Sequence, residues 1–122
     1  MSIPSCRHKG MLSREQAIAL YATAAAILAV LHPDQLLMNG DTNTSFIEKS
    51  VSMIHILCIQ VENEGGRKDL TYGILVILRS IVDAAEEMQK AGYSHASLYS
   101  NRIEEGCQSL MRIAMMSAGL SV

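Results

Sequence analysis

Glu48, Ser52 and His55 stand four and three residues apart, a spacing that brings three side chains onto one face of a helix. A carboxylate, a hydroxyl and an imidazole in that register could hold a small ligand or move a proton. The same positions also describe the solvated edge of an amphipathic helix, and no neighbouring residue marks an orienting third group. Cys6, Cys58 and Cys107 lack the local signature of a nucleophile set against a base. Cys58 and Cys107 fall at apolar helical positions, where a thiol behaves as a small hydrophobe. Cys6 and His8 with His32, His55 or His95 are metal-ligand types, but tetrahedral zinc takes four ligands and its usual signature brings them in close pairs. Gly65-Gly66 lacks the lysine and serine of a phosphate-binding loop. The expectation is a non-enzymatic chain without metal or cofactor.

The elements that carry these residues read as helices. Ser13-Arg14-Glu15-Gln16 is a capping box, in which the serine oxygen accepts from the Gln16 amide and the glutamine reaches back. The helix it opens ends before Pro33. Leu20, Ala24, Ile27 and Leu31 form its apolar stripe, with Ala22, Ala26 and Ala29 as a small-residue strip that suits close packing within the bundle in preference to a dedicated dimer seam. Asp34 to Met38 suits one short helical turn, and Asn39-Gly40-Asp41 signals a turn leading into a loop to Thr44. A second box, Ser45-Phe46-Ile47-Glu48, then opens a helix with Ile47, Val51, Ile54, Cys58 and Val61 on one face. Met53, Ile56, Leu57 and Ile59 widen that face, so this helix is expected to be buried on most of its circumference.

After the connection Glu64 to Lys68, Asp69 can cap a third helix that runs to Lys90, with Gly92 as a left-handed stop. Leu70, Ile74, Ile77, Leu78, Ile81, Val82, Ala85 and Met88 keep its period, and Arg79 with Asp83 and Glu86 with Lys90 fall four apart. A period of two in 51–61 and the β-branched run 71–78 would also suit a hairpin closed by Gly65-Gly66. The capping box and the helix-forming run Asp83 to Met88 favour helix. A last helix starts near Ser97 or Ser100 and runs toward Gly119, with Tyr99, Ile103, Cys107, Leu110, Ala114 and Ala118 inward. The expected fold is all-α: an antiparallel bundle of about four helices, in a single domain over 13–122 preceded by a flexible tail over 1–12.

Composition bounds the function. The 122 residues carry 12 acidic and 10 basic side chains, a net charge of −2, and no basic run beyond Arg7-His8-Lys9, which argues against nucleic acid as a partner. An alternative remains in a helix-turn-helix regulator presenting Asn101 and Arg102, opposed by Glu104 and Glu105 directly after them. Ala17 to Leu31 is apolar except for Thr23 yet shorter than the roughly 20 residues of a membrane span. A signal peptide is opposed by Glu15 and Gln16 before that run. Three unpaired cysteines point to the cytoplasm.

Only 18% of residues are charged against 49% hydrophobic, below the usual charged fraction of about 25%, so association is expected to cover the surplus. Met111, Met115 and Met116 cluster near the C-terminus, and methionine adapts to a partner's surface. With Tyr99, Ile56 and Ile59 they are the expected partner-binding residues of a homodimer that binds another protein, such as a transcription factor.

Ser50 to Val61, Tyr72-Gly73-Ile74-Leu75 and Ile81 to Ala85 resemble segments of small helical-hairpin proteins of proteobacteria of unassigned function. The resemblance covers about a third of the chain, implies a bacterial helical protein acting by contact, and transfers no functional residue. In size and character the whole chain also resembles small helical antiactivators, which bind a transcription factor such as a quorum-sensing receptor and block its dimerisation.

Overall fold

The computed structural model describes residues 12–31 and 33–119, residues 33–37 by their backbone alone. Among the described residues four helices follow one another, α1 (Arg14–Ala29), α2 (Pro33–Asn63), α3 (Lys68–Lys90) and α4 (Ala96–Ser117). Among the described residues there is no strand, so 51–61 and 71–78 are helical and form no hairpin. Short connections make consecutive helices antiparallel. Each helix packs on its two neighbours in a ring, α1 on α2 and α4, α3 on α2 and α4, while α2 and α4 touch only lightly across the diagonal. The chain is therefore an up-and-down four-helix bundle.

The stripes expected to face inward do so. Leu20, Ala24 and Ile27 of α1, Ile47, Ile54 and Cys58 of α2, Ile74, Ile81 and Met88 of α3, and Ile103, Cys107 and Leu110 of α4 are all buried. Leu12, assigned to the tail on sequence grounds, is 1% exposed and belongs to this core. Residues 1–11, with Cys6 and His8, and also His32, lie outside the described residues.

The first capping box forms as the spacing requires. Gln16 N–H donates to Ser13 Oγ at 3.1 Å and Ser13 N–H donates to Gln16 Oε1 at 2.9 Å. The second does not form. Helix α2 runs on from Pro33 and leaves helical geometry only at Asn39 (φ −129°, ψ 35°), so the expected loop 40–44 is helical and Ser45 lies exposed inside the helix. Tertiary bonds replace the loop: Asn43 Nδ2 donates to the Val30 carbonyl at 3.1 Å, and Tyr93 Oη donates to Asp41 Oδ1 at 2.9 Å and lies 3.0 Å from the buried Thr44 Oγ1.

Three smaller expectations also shift. The N-cap of α3 is Arg67, and Asp69 sits inside the first turn, where its carboxylate accepts from Arg67 Nε at 3.1 Å. Lys90 pairs with Glu87 at 3.5 Å, not with Glu86, while Arg79 and Asp83 pair at 3.6 Å as expected. Helix α4 begins at Ala96 behind His95, one residue ahead of the expected serine. Helix α3 stops where Gly92 takes φ 63°: its N–H bonds to the Gln89 carbonyl and that of Tyr93 to the Met88 carbonyl, the paired bonds of a Schellman ending.

Candidate interaction grooves

Two outer faces of the bundle stay apolar after the core is filled. Between α2 and α3, the side chains that widen the α2 face sit beside the α3 positions left over from its core stripe. Val51, Ser52, His55 and Ile56 oppose Leu75, Leu78, Arg79 and Val82 across a groove of about 470 Å³. Ile56 is 55% exposed, and Met53 and Ile59 are exposed with it. The expectation that α2 is covered on most of its circumference thus fails within one chain, because α1 and α3 cover only the arc through Ile47, Ile54 and Cys58. On α3, Tyr72 is 70% exposed and Val76 is exposed.

The opposite face, between α1 and α4, holds a groove of about 360 Å³ lined by Ala17, Ile18, Tyr21, Ala22, Ala114, Met115 and Ala118. Its walls are almost wholly apolar. The small-residue strip was expected to pack inside the bundle, but Ala22 and Ala29 are exposed and Ala26 is half-buried. Only the stripe through Leu20, Ala24 and Ile27 reaches the core.

The six residues singled out on sequence grounds do not form one surface. Ile56 and Ile59 lie on α2, and Met115 lines the α1–α4 groove on the far side of the ring. Met116 is exposed on α4, whereas Tyr99 and Met111 are half-buried against the core. Sequence reasoning missed Ile18 and Tyr21 as groove residues, and missed Arg79 and Leu75 as the wall facing Ile56. A signal for the first pair was present, since no charged residue occurs from Gln16 to Leu31 although half of that helix faces outward.

Of the groups considered for chemistry, Ser52 and His55 share the α2–α3 groove with Arg79, while Cys58 and Cys107 are buried in the core. Glu48, Ser52 and His55 are all exposed. Among the described residues, no three His, Cys, Asp or Glu side chains converge to hold a metal. Burial pushes the Cys58 thiol up to about 11 and Cys107 to about 12, with the charges of Glu62 and Glu104 adding to the respective rises. Thiols so shifted are almost wholly protonated at neutral pH, which suppresses nucleophilic attack. Asn101 and Arg102 are exposed on α4, with Glu104 and Glu105 exposed beside them.

No helix among the described residues is long and apolar enough to cross a membrane. Set against protein-family models, curated proteins and solved structures, the chain matches none.

Proposed function

We propose that the protein is a helical interaction module, a homodimer that binds another protein through the α2–α3 groove and so modulates it, as an antiactivator of a transcription factor, an adaptor or a chaperone does. The observation that carries this reading is the exposure of Ile56, Ile59, Tyr72 and Val76 on two adjacent helices. Ile56 lines the groove itself, and large exposed apolar side chains grouped on adjacent elements are the usual mark of an interaction site. The groove combines an apolar floor with Ser52, His55 and Arg79, the mixed character of interfaces that form and dissociate. Its natural occupant is the apolar face of an amphipathic helix. The module acts in the cytoplasm.

The test is affinity capture of the full chain from its native lysate, run beside an Ile56→Glu, Ile59→Glu variant. A stoichiometric protein retained by the parent and lost by the variant supports the reading. Retention by both, or by neither, overturns it.

A further inference from the structure

Residues 39–48 carry two conflicting preferences. Locally their sequence encodes a loop and a helix start: Asn39-Gly40-Asp41 is a turn signal and Ser45-Phe46-Ile47-Glu48 a capping box, in which Ser45 Oγ would accept from the Glu48 amide and the Glu48 carboxylate from the Ser45 amide. The fold overrides both. Helix α2 already runs through 40–45, and Ser45 and Glu48 lie exposed on its surface with the box unmade.

The contact that imposes this override is itself strained. Tyr93 follows Gly92 in the left-handed region, φ 66° after 63°, a conformation that suits glycine and not a bulky side chain. Helical 40–44 holds it there. The Tyr93 ring fills the space that a Cβ on residue 40 would need, and its hydroxyl donates to Asp41 Oδ1 at 2.9 Å and lies 3.0 Å from Thr44 Oγ1. Gly40 is in turn a poor helix former. Each side of the contact thus keeps a conformation that it would leave without the other. Strain of this kind gathers where a structure switches, and a conflict between local preference and tertiary contact narrows the gap between two arrangements.

We infer that residues 39–45 are a two-state latch. Closed, Tyr93 sits on Gly40 and 40–45 are helical. Open, the ring leaves, 40–44 become the loop their sequence encodes, and α2 starts at Ser45 with its capping box made. The new cap offsets part of the lost helical turn. Opening also breaks the bond from Asn43 Nδ2 to the Val30 carbonyl and brings the buried Thr44 into water, so the α1–α2 corner loosens as a unit while the core stripe from Ile47 onward stays seated. The latch uses none of the residues that line the α2–α3 groove and stands apart from the role proposed for it.

Amide hydrogen exchange on the full chain, with stability measured on the same variants, tests the latch. Amides 41–47 are expected to open together and about tenfold more often than 51–58, and Tyr93→Ala to raise their opening further without moving 51–58. A merely frayed helix end would behave likewise, so the cap decides. Ser45→Ala leaves the folded-to-unfolded ratio nearly unchanged in the parent and lowers it about five-fold in the Tyr93→Ala background, where Ser45 caps the helix. Tyr93→Phe, which keeps the ring and loses only its hydroxyl bonds, shows the same coupling in smaller measure and carries the comparison if Tyr93→Ala does not fold. An equal effect of Ser45→Ala in every background, or exchange at 41–47 as slow as at 51–58 once Tyr93 is replaced, overturns the inference.

Discussion

The ring of Tyr93 packs so closely on Gly40 that a Cβ on residue 40 would lie 2.4 Å from the ring carbons. Gly40 is therefore present for its missing side chain, directly after the residue, Asn39, at which the helix leaves helical geometry. Tyr93 holds a positive φ of 66° in the α3–α4 turn, and its hydroxyl ties Asp41 and Thr44 to that turn. Burial raises the phenol's pKa, and the Asp41 carboxylate that it donates to adds to the rise. One aromatic side chain thus fastens the break at Asn39 to the opposite connection.

Gly40→Ala forces the ring out of its seat and is expected to cost about 1–3 kcal/mol, the usual range for overpacking. Tyr93→Phe keeps the packing but deprives the buried Thr44 hydroxyl and Asp41 of a partner, at a cost of about 1–2 kcal/mol. Urea denaturation of both variants checks the order. A Gly40→Ala protein as stable as the parent would show that the ring does not sit there.

Ser13→Ala should lose about 1 kcal/mol, because a helix N-terminus gives up its cap. Ser45→Ala should stay within about 0.5 kcal/mol, as an exposed site inside a helix does. The two serines stand in look-alike boxes, so a thermal melt of each distinguishes a working cap from a coincidence of spacing.

This pair also marks how far the sequence could be read. The stripes through Leu20, Ile54, Ile81 and Ile103 were legible because burial enforces the helical period. Gly92 was legible because its left-handed stop is a local property of the chain. The turn signal at Asn39 does mark a break in the helix, but 40–45 was misread because its helix depends on Tyr93, almost fifty residues away, and no local pattern carries that contact. The grooves were half legible. The apolar surplus showed in the composition and along α2, but the residues that oppose one another across each groove follow from the ring order of the helices. Periodicity within one segment does not encode that order, which is why Met115 and Ile56 were placed together and are found on opposite faces.

Alkali should destabilise the fold through Cys58 and Cys107. Both thiols ionise at about 11 or 12 when folded, against an ordinary 9.0. The folded chain therefore holds protons that the unfolded chain releases above pH 9, and stability falls as pH rises from there toward the folded values. The slope is up to about 1.4 kcal/mol per pH unit for each thiol. Below pH 9 both states are protonated and the thiols contribute no pH dependence. Urea midpoints measured between pH 8 and 10.5 for the parent and for Cys107→Ala check this, the variant showing the shallower fall.

Those two thiols should also be silent toward reagents in the native state. In a Cys6→Ser chain at pH 8, a thiol-reactive dye is expected to label slowly, and to label both sites at once when guanidinium unfolds the protein. Rapid native labelling would place Cys58 or Cys107 at the surface.

The central claim is that the α2–α3 face makes the functional contact. Amide and side-chain footprinting of the full chain, alone and in the complex recovered by capture, tests it most directly. New protection is expected to concentrate over residues 51–60 and 72–82, with Ile56 and Tyr72 at its centre. Protection confined to other elements, or a captured complex that leaves this face as open as in the free protein, would contradict it.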